Sequence, residues 1–432
     1  MSYLVYIAIL KIYFVVQYSQ ISFNEEEIMN TKTFKLSNNT NVFCKKNVNT
    51  PRVALCFNIR GQKRLKEVGL DAIMTRLFLQ GTKNYTAEAL ANELDKYAIE
   101  FSVDSKPDYI RFKFVCLNED FDKALELLED IIKNSTFEDF DKELSKMEGE
   151  IIAELDSPRV KVSDKFYSTM FENHEYGNTN SKILENIQNL SKEKVISNYN
   201  DLMQNSKKVI SVVGDIDFET LENKLNQRFS DIPVSSDIKL ISNVKAIDED
   251  KYVETVKPDA NQAHIIKGWI VDTSASEDYP ALLLLNVILG ASGLSSRLFL
   301  ELRDKKGLAY VVRSSYEIFG ECADFFIYIA TEPKNIEVSL AGFKEELDKI
   351  QNIPVSIEEL ENAKNNLFGK WAFTQETNEN QAILYGNYGI LDLGFDFKER
   401  ARERVKKVTV EQIQNCAKKY FSRNSVLSIL KP

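Results

Sequence analysis

The sequence is short of the residues and motifs on which several common chemistries depend. Its five cysteines are odd in number and never form a Cys-x-x-Cys pair, which disfavours a disulfide framework or a thiolate zinc site and favours a reducing compartment. It also has no His-Glu-x-x-His sequence, no Gly-x-Ser-x-Gly elbow and no phosphate-binding loop. Three common motif-based routes to hydrolysis or nucleotide binding are therefore not indicated.

Positive charge is also in deficit. Lys and Arg total 55 against 65 Asp and Glu, a net charge of −10. Because this balance repels nucleic acid and anionic membrane surfaces, we expect no nucleic-acid partner.

Long apolar runs are missing as well. Leu4–Val16 is interrupted by Lys11 and is too short to span a bilayer. We interpret residues 1–28 as a leader or an over-long start. A weak membrane anchor is the alternative interpretation. The expected location is the cytoplasm, with membrane association or export left open.

What is present is the pattern of a large α/β chain. At 432 residues and 44% hydrophobic, it can bury more than one core. The most regular helix is predicted between Gly69 and Thr82, where Gly81 is placed to end it as a C-cap. Its apolar residues recur at helical spacing: Leu70, Ile73, Met74, Leu77 and Phe78.

The second part of the chain repeats the first. A helix opened by Ser191 and a strand from Val209 are echoed by a helix opened by Thr409 and a strand from Val426. This period predicts two similarly folded halves, 29–234 and 251–432, joined by a linker at 235–250. Coincidence between two α/β patterns is the alternative.

Longer motifs in both halves carry a family resemblance. They are Gly81-Thr-Lys followed by Thr86-Ala-Glu, Phe171-x-x-His-x-Tyr-Gly177, Ser295-Ser-Arg-Leu-Phe299 and Arg303-x-x-x-Gly-Leu-Ala-Tyr310. In these motifs the chain resembles the pitrilysin/insulinase-like family of inverted-motif zinc peptidases, in particular its smaller bacterial branch. The resemblance implies an α+β fold of two homologous halves, each a mixed, mainly antiparallel sheet packed with helices. It also implies that the halves close like a clamshell over an extended peptide.

The catalytic motif of that family is degenerate here. The family uses His-x-x-Glu-His on the first-half helix, where two imidazoles bind zinc and the glutamate activates a water. Ala72, Thr75 and Arg76 occupy these places. Since none of them ligates zinc, we expect this chain to bind no metal.

The remaining candidate ligands do not restore a site. Glu154 lies where the family places its third zinc ligand, and we interpret it as an orphan position, with pairing to Arg76 as one alternative. His174 and His264 lie in opposite halves without a second ligand nearby in sequence, which favours hydrogen-bonded roles.

Arg303 and Tyr310 match the arginine and tyrosine with which the family's second half grips the substrate. An arginine can hold a peptide carbonyl or carboxylate, and a phenol can stabilise an oxyanion. Without the resemblance, a solvated charge and a strand aromatic would be the simpler interpretation.

The hypothesis that follows is a non-zinc subunit of a heterodimeric peptidase. It would supply Arg303 and Tyr310 to an active site whose zinc is bound by a homologous partner subunit, and it would act on unfolded or short peptides. One alternative is a catalytically silent peptide-binding or structural subunit, similar to the core subunits that the family contributes to respiratory complexes. A self-sufficient zinc peptidase is the other.

Overall fold

The computed structural model describes residues 30–61, 67–236, 239 and 242–432. The strands of these residues are β1 (Thr31–Lys35), β2 (Asn41–Lys46), β3 (Arg52–Arg60), β4 (Glu100–Ser105), β5 (Ile110–Leu117), β6 (Lys207–Gly214), β7 (Lys251–Val256), β8 (Ala263–Val271), β9 (Ala309–Ile318), β10 (Ala323–Thr331) and β11 (Val426–Lys431).

The α-helices of the same residues pack around these strands. They are α1 (Leu70–Leu77), α2 (Ala87–Lys96), α3 (Phe121–Asn134), α4 (Phe140–Leu155), α5 (Pro158–Met170), α6 (Asn180–Asn186), α7 (Lys192–Asn205), α8 (Phe218–Phe229), α9 (Tyr279–Asn286), α10 (Ile336–Asn352), α11 (Ile357–Phe373), α12 (Asn378–Ile390), α13 (Phe397–Lys406) and α14 (Val410–Phe421). Two π-helical segments, Val287–Ala291 and Phe299–Lys305, follow α9.

The two sheets share one topology. The first has the strand order β1-β2-β6-β3-β5-β4 and the second has the order β7-β11-β8-β10-β9. Each sheet contains one parallel pair, β2 with β6 and β7 with β11, and its other pairs are antiparallel. Apart from β1, every strand of the first sheet thus has a counterpart in the second. The predicted α+β fold of two homologous halves is confirmed.

The stripe predicted on α1 is buried, but the helix is shorter than expected. Leu70 is 7% exposed, and the other four stripe residues are at most 1% exposed. The helix ends at Leu77, so the prediction that Gly81 caps it is wrong. Gly81 instead bridges to Thr86 in a turn at φ 120°. The hydroxyl of the following Thr82 donates a hydrogen bond to the buried carboxylate of Asp130, which directs the chain away from the helix axis.

The halves exchange helices across the boundary between them. On the face of the second sheet opposite its own helices, Val162, Phe166 and Met170 of α5 pack into an apolar cluster. On the corresponding face of the first sheet, Ala382 and Tyr385 of α12 do the same. Burying one large apolar side chain contributes about 1.5–3 kcal/mol, so each exchanged helix is a substantial part of the stability.

Cations of the first sheet hold the end of α12. Lys207 Nζ donates to the carbonyl oxygen of Gly389 at 2.8 Å, and the guanidinium of Arg60 donates to that of Ile390. These terminal carbonyls carry the negative end of the helix dipole. Asp392, just past the helix, lies 2.9 Å from Arg60 and is also paired with Lys207.

The pKa of Asp392 reflects these cations. Burial acts to raise it, whereas the hydrogen bond from Lys207 and the charge of Arg60 lower it, and the result lies below the ordinary value of 3.8. The ionised carboxylate is therefore the form that fastens α12.

Other predictions concern the ends of the chain and the linker. Leu4–Val16 lies outside the described residues. Within those residues, no helix combines the length and apolar character needed to cross a bilayer. In the predicted linker, the backbone N–H of Asn243 donates to Glu321 Oε2 at 2.7 Å. The domain boundaries stay a prediction.

We predict that Asp392→Asn lowers the free energy of unfolding by about 1–2 kcal/mol at pH 7, because two cations lose their carboxylate. Because the folded pKa of Asp392 is depressed, this contribution is present at neutral pH and disappears as the pH falls through that pKa, below 3.8. Urea denaturation across pH measures the difference between variant and wild type.

The control is Asp396→Asn, which removes an exposed pair with Arg400 on the next helix. We expect it to change stability by less than about 0.5 kcal/mol. A destabilisation by Asp392→Asn that is equally large at pH 7 and pH 3 would contradict the assignment.

Candidate functional site

The positions of the degenerate motif lie on α1, facing α4. Ala72 packs partly buried against the first core. Thr75 is 7% exposed, and its hydroxyl donates to the carbonyl oxygen of Ala72 at 3.0 Å. The hydroxyl is thus committed to the helix backbone, and neither residue offers a ligand or a base.

Arg76 forms the centre of a charge cluster. Its guanidinium donates to Oε2 of Glu150 and lies 4.0 Å from Oε2 of Glu143. Glu143 is 4% exposed, so its charge requires a nearby cation. The hydrogen bond from Arg76 lowers the pKa of Glu150. The guanidinium of Arg76 therefore pairs with two carboxylates of α4, and Lys146 Nζ, 3.9 Å from Glu143 Oε1, supplies the second positive charge.

The suggested pairing of Glu154 with Arg76 is wrong. Glu154 Oε2 instead accepts a hydrogen bond from Asn180 at 2.8 Å. Arg76 is in the last turn of a helix of eight residues, about 12 Å long, and reaches α4 at Glu143 and Glu150. These two are seven residues apart, which places them on one face of α4. Glu154, four residues after Glu150, lies on the same face, so the spacing alone does not select the pair.

The arrangement does not fit a zinc ion. Zinc requires converging imidazole, thiolate or carboxylate ligands. Here both imidazole positions are non-ligands, and the guanidinium of Arg76 already pairs with the nearby carboxylates. Among the described residues, no three His, Cys, Asp or Glu side chains are grouped so that they could hold a metal.

Both histidines are hydrogen-bonded far from α1 in sequence. The Nδ1 atom of His174 accepts from the backbone N–H of Tyr176 at 3.2 Å, so its Nε2 carries the proton and donates to Glu321 at 3.1 Å. His264 Nδ1 lies 2.8 Å from the hydroxyl of Tyr328. Burial, followed by the charge of Arg159, lowers the pKa of His264.

Arg303 and Tyr310 are brought into direct contact. The guanidinium carbon of Arg303 lies 4.7 Å from the ring centroid of Tyr310 and 4.7 Å from that of Phe299. The cation is thus held by two aromatic rings, a favourable cation–π arrangement. In the part of the chain that the structure describes, no carboxylate lies within 4 Å of it. Phe299, one turn before Arg303, is a site residue that the sequence analysis did not single out.

Two glycines produce this contact. Gly307 has φ 62° and donates its N–H to the carbonyl oxygen of Arg303 at 3.1 Å, which reverses the chain so that Tyr310 returns over the arginine. Gly290, in the first π-helical segment, lies against β9, where an added Cβ would come within 2.1 Å of the Ser314 nitrogen. Only glycine permits this packing of β9, the strand that carries Tyr310.

The surface around this pair is apolar and open. Tyr310 is 76% exposed, and neighbouring exposed side chains include Leu300 at 39% and Val311 at 37%. Arg303 itself belongs to the π-helical segment Phe299–Lys305, a conformation frequent at functional sites. Within the described residues, no hydrogen bond, ion pair or ring contact links Arg303 or Tyr310 to Arg76.

Two family models match consecutive parts of the chain. The model described as Insulinase (Peptidase family M16) matches residues 62–182, and the model described as Peptidase M16 inactive domain matches residues 189–367. An uncharacterized zinc protease from Rickettsia felis is 26% identical over 370 residues, covering 85% of this chain and 88% of the relative.

Solved structures share the fold. A protease from Helicobacter pylori superimposes with a TM-score of 0.84 at 20% identity, covering 93% of this chain and 99% of that one. A peptidase M16 inactive domain from Pseudomonas fluorescens superimposes with a TM-score of 0.82 at 19% identity, covering 93% and 98%. At these identities the similarity establishes the fold alone.

We predict that Arg76→Met lowers the free energy of unfolding by about 1–3 kcal/mol, because the buried Glu143 loses a cation. Adding Glu143→Gln should recover part of this loss. Urea denaturation of the single and double variants measures both effects.

The control is Lys142→Met, which removes an exposed pair between Lys142 of α4 and Asp139, the N-cap residue of that helix, and should cost less than about 0.5 kcal/mol. If Arg76→Met is as mild as this control, the charge cluster does not stabilise the fold.

A separate prediction concerns metal content. Because Arg76 pairs with the carboxylates facing α1, we expect the isolated protein to hold substoichiometric zinc after dialysis. Atomic emission spectroscopy measures this directly. One equivalent of zinc retained per chain would refute the description of this site.

Proposed function

Because the chain belongs to the insulinase-like peptidases, Peptidase family M16, we propose that it is the non-zinc, substrate-binding subunit of a two-subunit peptidase. A partner subunit of similar fold would bind the zinc. This chain would contribute Arg303 and Tyr310 to the shared active site.

The observation that carries the proposal is the state of Arg303. Stacking on Phe299 and Tyr310 uses the faces of the guanidinium and leaves its N–H edges available. An ordinary surface arginine would be mobile or paired with an acid, whereas this one is fixed without an acidic partner in the described residues. Such a group is preorganised to hold a peptide carbonyl or carboxylate.

Tyr310 supplies the second element. Its ring is fixed by Arg303 and is 76% exposed, so its hydroxyl can meet a substrate bound over β9. A phenol placed beside a scissile carbonyl stabilises the oxyanion that forms when water attacks. This role requires a zinc-activated water from elsewhere, since Ala72 and Thr75 provide neither ligand nor base.

The surrounding apolar side chains support contact with a peptide or partner. Leu294 is 72% exposed, and it lies in the same stretch of chain as Leu300 and Phe299. Exposed apolar groups around an unpaired cation are typical of an interaction surface rather than of a solvated one. The match of residues 189–367 to an M16 inactive domain agrees with a non-catalytic role.

We predict that this protein and a His-x-x-Glu-His-bearing homologue from the same genome hydrolyse peptides together, while each alone is inactive. Arg303→Ala and Tyr310→Phe in this chain should lower kcat/KM of the complex by about 10²-fold or more, because each removes a group that acts on the transition state. Cleavage of a quenched fluorescent peptide measures the rate.

A matched control is Arg402→Ala, which removes a guanidinium of α13 that lies 5.0 Å from the ring centroid of Phe368 in α11 and should leave the rate unchanged. If the homologue is fully active alone and gains nothing from this chain, the proposal fails. Peptide binding without hydrolysis in the mixture would favour a silent peptide-binding protein instead.

A further inference from the structure

A second group of unpaired cations surrounds Tyr328 on the face of the second sheet that α5 covers. The guanidinium carbons of Arg159 and Arg313 lie 5.7 and 5.9 Å from the ring centroid of Tyr328. His264 Nδ1 lies 2.8 Å from the Tyr328 hydroxyl. Four polar side chains from α5, β8, β9 and β10 thus meet at one place.

The sheet register brings them together. Tyr328 lies directly opposite Arg313 in the antiparallel pair of β10 with β9, and His264 lies opposite Ala330, two residues along β10. All three therefore project from one face of the sheet. Arg159 joins them from the first turn of α5.

No ion pair balances the two arginines of this cluster. Among the described residues, no acidic side chain lies within 4 Å of Arg159 or Arg313, although Glu317 on the same strand and the buried Asp324 opposite it are close enough that both carboxylates and Arg313 act on the pKa of Tyr167. The Nε atom of Arg313 is buried and has no hydrogen-bond partner among those residues, a costly arrangement unless a ligand supplies an acceptor. Arg159 also lies at the positive end of the α5 dipole, where a cation is disfavoured.

The position of the cluster relates it to the Arg303–Tyr310 pair. Arg313 follows Tyr310 on β9 by three residues, about 10 Å along a strand. The register of β9 with β10 is irregular at Tyr310, which lies unpaired between Ala309 and Val311, so the alternation of faces is interrupted between Tyr310 and Arg313. An extended peptide held at Tyr310 would therefore pass within a few residues of the cluster.

We propose that Arg159, Arg313 and the Tyr328 hydroxyl form a carboxylate-binding subsite for the peptide held at Arg303 and Tyr310. The subsite would accept either an acidic side chain or the C-terminal carboxylate, since both present the same planar acceptor to a guanidinium. This inference rests on the proposed function.

The test is isothermal titration calorimetry of the full chain with peptides of one sequence. One peptide carries a single Asp and an amidated C-terminus, one carries Asn in its place, and one carries Asn with a free C-terminus. We expect the peptide with the matching carboxylate to bind roughly tenfold tighter than the uncharged one, with the preference decreasing at high salt. The first and third peptides, each compared with the uncharged second peptide, distinguish the two sources of carboxylate.

Variants assign the preference to the cluster. Arg313→Gln and the exposed Arg159→Gln should each reduce the preference to about twofold or less while leaving affinity for the uncharged peptide unchanged. Arg402→Gln, a remote arginine with the same change in charge, should retain it.

The outcomes separate this inference from the proposed function. Equal affinity of wild type for charged and uncharged peptides, or a preference that survives Arg313→Gln and Arg159→Gln, overturns the carboxylate subsite and leaves peptide binding intact. If no peptide binds the wild type, the carboxylate subsite is overturned as well. The proposed function fails when Arg303→Ala leaves peptide hydrolysis by the mixture of this chain and its zinc-binding homologue unchanged.

Discussion

The exchange of α5 and α12 between the two halves is the interaction on which the rest of the structure depends. A sheet with two apolar faces must be covered on both, and here the second face of each sheet is covered by a helix that the other half supplies. The halves repeat one sheet topology, yet neither contains its complete core. The buried cations Arg60 and Lys207 bind the end of α12 and so add hydrogen bonds and ion pairs to its apolar packing.

This exchange also connects the charge cluster around Arg76 in the first half with the second sheet. Glu143 and Glu150, which pair with Arg76, lie on α4, and α4 leads directly into α5 on the second sheet. Any movement of one half relative to the other therefore acts on the helix that carries these carboxylates. The guanidinium of Arg76 keeps that helix in place without a metal, because it compensates the buried charge that would otherwise destabilise the fold.

Periodicity and capping were sufficient to predict much of the fold. The buried stripe of α1 and the correspondence between the helix openings at Ser191 and Thr409 are local signals, and the structure contains both. α5 was not predicted, since its apolar residues are separated by charged ones and its role depends on a sheet distant in sequence. The prediction that Gly81 caps α1 was wrong because Thr82 turns toward Asp130, a contact that no local pattern indicates.

In the candidate site, too, contacts between residues distant in sequence could not be predicted from local patterns. The motif indicated which positions had lost their ligands, and it indicated Arg303 with Tyr310. It could not indicate that Arg76 pairs with Glu143 and Glu150 rather than Glu154, because that depends on how far a helix of two turns reaches along its neighbour. Phe299 acquires its role only through the turn at Gly307.

The arginines of this chain differ in whether an acidic residue pairs with them. Acidic residues outnumber basic ones by 65 to 55 in this chain, so an arginine without an acidic neighbour is not the expected outcome of chance placement. Arg76 follows the expectation and is neutralised by two carboxylates. Arg303, Arg159 and Arg313 depart from it, and each is held against an aromatic ring, which fixes a guanidinium without satisfying its N–H donors. Within the described residues these three arginines lie around β9 and β10 of the second sheet and still lack an acceptor, whereas Arg76 is already paired with carboxylates.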